Sequence, residues 1–282
     1  MKYDNLMEKI FKNGISIITI VLNGRSFIEE TILSVIQQEN VEYEYIIIDG
    51  GSTDGTLEII AKYIKHIKFL VSEPDGGIYQ AINKGILLSS YQLIGLIHCG
   101  DCYTFNAFFE VYNFFKKYDA DVVYGDIEMK DEKENVLFSK KLFANHKFLM
   151  KEMSIFHPST FVNHSTYLDN GIYDESFRIA ADYDLFLNLY LKKKLFVYVP
   201  KVLTIFRSGG LSSTNFFLSL RENYYIRKKR IGLISALKFI IKRFIHFQYF
   251  KTRNSLLMML LGKNKVLSMK KKHFDRLKKS II

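Results

Sequence analysis

Acids, hydroxyls and glycines collect in a few short segments of this 282-residue chain. One is Thr19-Ile-Val-Leu22-Asn23-Gly24. A second is Asp49-Gly50-Gly51-Ser52-Thr53-Asp54-Gly55-Thr56, and a third is Ser72-Glu73-Pro74-Asp75-Gly76-Gly77. A fourth is His98-Cys99-Gly100-Asp101, and a later one is Ala181-Asp182-Tyr183-Asp184. Glycine lets a backbone approach a ligand closely. Carboxylates receive donors from a base or ribose, hold a hard cation, or accept a proton when positioned for it. The same residue types also make plain turns, so the elements around them decide between the readings.

Short apolar runs at 15–21, 45–48, 68–71, 93–97 and 121–124 are rich in β-branched residues and predict strands. Amphipathic stretches at 26–38, 56–66, 78–88 and 105–118 predict helices between them. The first of these opens on Ser26 and Glu29, the pattern of a capping box. Strands alternating with helices predict an α/β fold with a mainly parallel sheet flanked by helices. Ligands then sit beyond the carboxyl ends of the strands, where four of the five segments fall. Past residue 126 the pattern loosens, and a helix returns at 182–192.

Other readings of these loops meet specific obstacles. The G-x-G-x-x-G of a dinucleotide fold is absent after the first strand, and so is a P-loop. Cys99-Gly-Asp-Cys102 has the spacing of a redox pair or half a zinc site, but the chain has no other cysteine.

These blocks together resemble family 2 glycosyltransferases of the GT-A fold, in the branch that builds bacterial surface polysaccharide. The resemblance rests on 15–23, on 45–56 and on the block Ser72-Glu-Pro-Asp-Gly-Gly-Ile-Tyr79-Gln-Ala-Ile-Asn83-Lys84-Gly85. It continues through His98–Asp101, 172–185 and Gly209-Gly210-Leu-Ser212. It implies inverting transfer of a sugar from a nucleoside diphosphate, with uridine as the family default. Thr19, Asn23, Asp49, Ser52, Asp75 and Lys84 would bind the nucleotide sugar, and Gly209 and Gly210 would close over the diphosphate. Asp101 would hold a divalent cation, magnesium or manganese; a helix N-cap is its alternative role. Asp182 would be the general base, with Asp184 turned to the scaffold. His157 is a candidate to face the acceptor, and Arg207 a candidate for a phosphate. The sequence departs from the family pattern at Gly50 and Gly100, where relatives carry acids.

The net charge of +11 divides unevenly. Residues 221–282 hold 18 basic and two acidic residues, a net of +16, which leaves −5 on residues 1–220. We therefore expect a transferase domain at 1–220 and a basic helical C-terminal extension at 221–282. Within 233–247, Lys238, Lys242, Arg243 and His246 interleave with Leu237, Ile240, Ile241, Phe244 and Ile245. That is the form of a helix lying on an anionic surface. Such a tail suits a polyprenyl-diphosphate-linked saccharide acceptor at the inner-membrane surface. Nucleic acid is disfavoured, because no zinc finger, RNP-type stretch or basic coiled coil accompanies the charge. No apolar run reaches the roughly 18–20 residues of a span. The expected location is cytoplasmic, peripheral on the cytoplasmic face of the membrane. A catalytically inactive GT-A scaffold serving as a membrane-binding module is the alternative, motivated by Gly50 and Gly100.

Overall fold

The computed structural model describes residues 11–133, 136–207 and 215–261. Their elements alternate first and then change character. Strands β1 (Lys12–Val21), β2 (Tyr43–Asp49), β3 (Phe69–Ser72) and β4 (Tyr91–His98) are separated by helices α1 (Ile28–Ile36), α2 (Thr56–Ala61) and α3 (Ile78–Leu88). The two-residue strand β5 (Cys102–Tyr103) and helix α4 (Ala107–Tyr118) follow. The long hairpin of β6 (Val122–Lys133) and β7 (Val136–Leu142) comes next. Then come β8 (Thr160–Asn163), α5 (His164–Asn170), α6 (Ala181–Leu191) and β9 (Phe196–Arg207).

One nine-stranded sheet joins them in the order β3-β2-β1-β4-β8-β6-β9-β5, with β7 on β6. The half from β3 to β4 is parallel throughout. From Ile15 to Val21, β1 is buried at every residue, as a parallel strand covered on both faces should be. Beyond β4 the pairing turns mixed, antiparallel through β8 and parallel again between β6 and β9.

The expected capping box at Ser26 does not form. The amides of Phe27 and Ile28 both reach the carbonyl of Gly24 at 2.9 Å, so the chain turns before the helix starts. Helix α1 begins at Ile28 with no side-chain cap, and Glu29 instead accepts the hydroxyl of Tyr63 at 2.9 Å. The predicted helix at 56–66 likewise divides into α2 and a single 3-10 turn at Ile64–His66.

The chain separates into two compact units, Met1–Glu222 and Asn223–Ile282. Glu222, on helix α7 (Phe216–Arg230), is the last residue of the first unit and is buried. Its carboxylate accepts the successive amides of Arg178, Ile179 and Ala180 at 2.8, 3.0 and 2.9 Å. A buried carboxylate is retained only with such donors. The expected boundary at 220 would have assigned this residue to the tail.

The second unit contains the end of α7 and the 29-residue helix α8 (Leu233–Leu261). Gly232 turns the chain between them at φ +117°. The Arg227 guanidinium lies 4.3 Å above the Phe239 ring, which joins the two helices.

Helix α3 sits on β1 through a glycine. A Cβ placed on Gly85 would lie 2.4 Å from Cγ2 of Ile18, itself buried. Alanine would gain up to about 1 kcal/mol of helix propensity. Overpacking at so close a contact costs about 1–3 kcal/mol, and the clash should win. Gly85→Ala is expected to lower the urea midpoint; an unchanged or raised midpoint would contradict this packing.

Candidate functional site

Register brings the strand ends to one edge of the sheet. Val21 pairs with Asp49, Asp49 with Ser72, and Ile20 with His98. The loops that follow β1, β2, β3 and β4 therefore leave the sheet side by side, as the parallel pattern requires.

Asp49 is the centre of this edge and is fully buried. Its Oδ2 accepts the amides of Gly51 and Ser52 at 3.1 and 3.0 Å and the Ser72 hydroxyl at 2.7 Å. Its Oδ1 accepts the Ser52 hydroxyl. The expectation that Asp49 receives base or ribose donors is thus corrected. Its acceptor capacity is taken up by four protein donors, and its work is to shape the loop. Gly51 makes that wrap at φ +87°, where a side chain would be strained.

Asn23 and Ser52 clamp two loops together. The Asn23 amide donates to the Ser52 hydroxyl at 2.7 Å, and the Thr53 amide donates to Oδ1 of Asn23 at 2.9 Å. Thr19 does not reach the cleft. It is fully buried, and its hydroxyl meets that of Tyr45 at 2.9 Å inside the sheet layer. Lys84 pairs with Glu73 at 2.7 Å. Asp75 is the half-buried acid that remains on this side. Its Oδ2 lies 3.0 Å from where a Cβ on Gly50 would stand, so it leans into the space that a second carboxylate after β2 would occupy.

Asp101 is turned inward. It is 4% exposed, and its Oδ1 accepts the Arg207 amide at 2.9 Å. Burial pushes its carboxyl up to about 7, against the opposing pull of that amide and the Arg207 charge. The Arg207 guanidinium pairs with Glu30 at 3.1 Å and lies 4.3 Å above the Phe27 ring. A divalent cation fits this geometry poorly. The one acid is sequestered, Gly100 adds none, and no cluster of three His, Cys, Asp or Glu forms among the described residues. Nor is Asp101 a helix cap, since α4 begins after Asn106. Both cysteines are free, and burial raises each thiol to about 12, the reverse of what a reactive pair needs.

A chain of side chains runs from the sheet edge to Asp182. Nε2 of His98 lies 3.1 Å from Nδ1 of His157. Burial lowers His98 to about 4 and holds His157 well below its ordinary value, so both are neutral. Nε2 of His157 is buried without a partner. The His157 ring meets Tyr173 edge-on at 6.2 Å, and Tyr173 stacks on Tyr79 at 5.6 Å. Tyr79 in turn acts on the Asp182 carboxyl, favouring its charged form. Asp182 opens α6 and is partly exposed, while Asp184 is buried at 4%. Burial raises the Asp182 carboxyl to about 6, which keeps it ionised at neutral pH and basic enough to take a proton. Gly209 and Gly210 lie outside the described residues.

Three residues that matter here were given no role by the sequence reading. Tyr79 and Asn83 fall four apart on α3, a helix-face spacing that marked them as neighbours. Asn83 holds Tyr173 through both backbone groups, at 2.9 and 3.1 Å. Glu222 carried no local signal.

Comparison with known proteins places the fold among relatives of one kind. The model for "Glycosyl transferase family 2" matches residues 16–177. An uncharacterized glycosyltransferase of Rickettsia prowazekii is 27% identical over 229 residues, covering 78% of this chain and 71% of that one. A "PGL/p-HBAD biosynthesis glycosyltransferase" of Mycobacterium bovis is 27% identical over 206 residues, covering 71% and 79%. Among solved structures, residues 1–349 of TarS from S. aureus in complex with UDP-GlcNAc superpose with a TM-score of 0.63 at 15% identity. That match covers 89% of this chain and 77% of TarS 1–349, and it is a likeness of fold.

The raised carboxyl of Asp101 has a consequence for stability. From the ordinary carboxyl range up to about 7, the unfolded chain releases this proton while the folded chain keeps it. Stability therefore falls as pH rises through that window and stays lower above it. Asp101→Asn keeps an acceptor for the Arg207 amide and carries no charge. Its melting temperature should exceed the parent's at about pH 8 and match it at about pH 4. A variant less stable than the parent at the higher pH would refute a buried, protonation-favouring Asp101.

Proposed function

The chain belongs to glycosyl transferase family 2, with the GT-A fold, and from that membership we propose the reaction it performs. It transfers a sugar from a nucleoside-diphosphate donor to an acceptor hydroxyl with inversion, Asp182 taking the hydroxyl proton. The observation that carries this reading is Asp182 itself, a residue that keeps partial exposure while burial raises its carboxyl. It stands at the start of a helix and joins the nucleotide edge through Tyr79, Tyr173, His157 and His98. A base needs to be ionised and directed, and a carboxylate raised to about 6 meets the first need at neutral pH.

Donor binding falls to the loops after β1, β2 and β3. Asp49 and the Asn23–Ser52 clamp shape the pocket, and Asp75, whose Oδ1 accepts the Gly77 amide at 3.0 Å, has Oδ2 to accept an N–H from a base. A uracil base, which offers such a donor, suits Asp75, and TarS is a protein of this fold with a UDP-GlcNAc complex. The buried Asp101 gives no reason to route a step through a metal. The acceptor we favour is a lipid-linked saccharide in bacterial surface polysaccharide synthesis.

The tail supports that acceptor. No helix among the described residues is long and apolar enough to cross a membrane. In α8, Ile234, Leu237, Ile241, Phe244 and Ile245 recur at three- and four-residue steps and are all exposed. Lys238, Lys242 and Arg243 beside them are exposed too. An apolar stripe with a basic flank suits the interface of an anionic bilayer.

Two measurements test the reading. Asp182→Asn should reduce transfer by about 10²–10⁴-fold while calorimetry finds donor binding intact; normal turnover would remove Asp182 from the mechanism. The full chain should sediment with vesicles containing anionic lipid at low salt and release at high salt. Removal of residues 233–282, which retains Glu222, should abolish sedimentation. A full chain that ignores such vesicles at low salt would overturn the membrane assignment.

A further inference from the structure

Between β7 and β8 the chain makes a short loop whose side chains divide into two sets. The Asn145 amide donates to the Ser154 carbonyl at 2.8 Å and closes the loop, and Oδ1 of Asn145 takes the Lys147 amide at 3.0 Å. Ala144 and Leu149 turn inward and are buried. Asp126 accepts the Ala144 amide at 3.0 Å, and Nδ1 of His146 lies 2.6 Å from the Tyr124 hydroxyl. Outside stand Phe143, Phe148 and Met150, with exposures of 69%, 45% and 37%. A loop fastened at so many points holds these apolar groups in water as part of its built shape. Apolar side chains displayed together and rimmed by polar ones mark a contact surface.

The charge beside them has one sign. Nζ of Lys141 lies 5.0 Å from the centre of the Phe143 ring, and Nζ of Lys151 lies 5.1 Å from that of Phe148. Lys147 is exposed between them. Residues 141–151 hold these three lysines and no acid, on a body whose net charge is −5; an exposed Glu152 follows. Rings with ammonium heads beside them suit a bilayer interface, where the ring enters the acyl boundary and the cation meets an anionic headgroup. An acidic peptide would answer the lysines and leave the two rings in water.

We propose that residues 141–151 form a lipid-contact site of the transferase unit, which takes the anionic surface of a bilayer. The inference rests on the membrane reading given above for the chain. The loop is tied to the helix of the base. The buried Tyr183 hydroxyl donates to the Leu149 carbonyl at 2.9 Å, and the Tyr183 amide donates to Oδ1 of Asp182 at 2.8 Å. Contact at the loop sets Asp182 near the headgroup layer, where a lipid-linked acceptor presents its hydroxyl. Three apolar side chains and three lysines are too few to hold the chain on a bilayer alone. The loop therefore engages once the tail has raised its local concentration at the surface.

The chain has no tryptophan, so a single one reports its own surroundings. Phe143→Trp and Phe148→Trp place it in the loop, and Phe109→Trp places it on α4 at another exposed phenylalanine. The full-length variants are mixed at low salt with vesicles of phosphatidylglycerol and phosphatidylcholine. Emission of both loop variants should move to shorter wavelength and be quenched when the acyl chains carry bromine, while Phe109→Trp does neither. The double variant Phe143→Ser/Phe148→Ser should bind the vesicles about tenfold more weakly, the scale of half-burying two phenylalanines. Loop variants that sediment with unchanged emission would overturn the loop contact and leave the role of the tail standing. A full chain that does not sediment would remove the membrane reading and this site with it. An equal shift in Phe109→Trp would mean unspecific adsorption, and a shift with poly-glutamate but not with vesicles would assign the loop to an acidic protein. Either result overturns the proposal.

Discussion

A carboxylate with no access to water must be given donors by the chain itself, and the active edge of this protein is organised around that requirement. Asp49 ends β2 with full burial and four donors, two amides and two hydroxyls, drawn from the loop after β2 and the last residue of β3. Leaving such a group unpaired would cost several kcal/mol. The loops therefore have little freedom to take another course. Asn23 then fastens to the organised loop, and Asp75 leans over Gly50 beside it. The same solution recurs at Glu222, and at Glu44, which accepts the Ser16 hydroxyl at 2.6 Å and is paired with Lys68. Several acids of the mildly acidic body are thus internal fasteners.

Against this background Asp182 differs in kind. Asp49 is saturated and shapes a loop, while Asp182, a partly exposed residue, has its carboxyl shifted upward by burial and accepts the Tyr183 amide at 2.8 Å. Environments that separate two carboxylates in this way separate their duties as well. The neutral pair His98 and His157 lies between the two regions with one nitrogen unpartnered, an uncharged polar surface rather than a third acid.

The alternation of elements was legible in sequence because buried parallel strands and amphipathic helices have different periods. Helix α3 is read to the residue, β1, β2 and β4 are read short at one or both ends, and β3 is read one residue early. Side-chain direction was less legible. Thr19 lies in a strand buried on both faces, where period two carries no signal, and only the position of β1 between β2 and β4 turns it toward Tyr45. Asp49 and Asp101 look in sequence like ligand acids, since a carboxylate at a strand end reads alike whether it faces solvent or chain. Ser26 had the right spacing for a cap but lost to a backbone turn closed by Gly24. Glu222 acts on amides more than forty positions away, beyond any local pattern.

The place of Glu222 also bears on how this protein can be divided and recombined. The sheet ends at Arg207, and a cassette cut there would look complete by its strands. Yet the amides just ahead of Asp182 are held by an acid fifteen residues further on, in the second turn of α7. A transferase exchanged between chains as a module must carry those turns with it. Separating the chain ahead of Phe216 would detach the support of the base while leaving every sheet hydrogen bond in place.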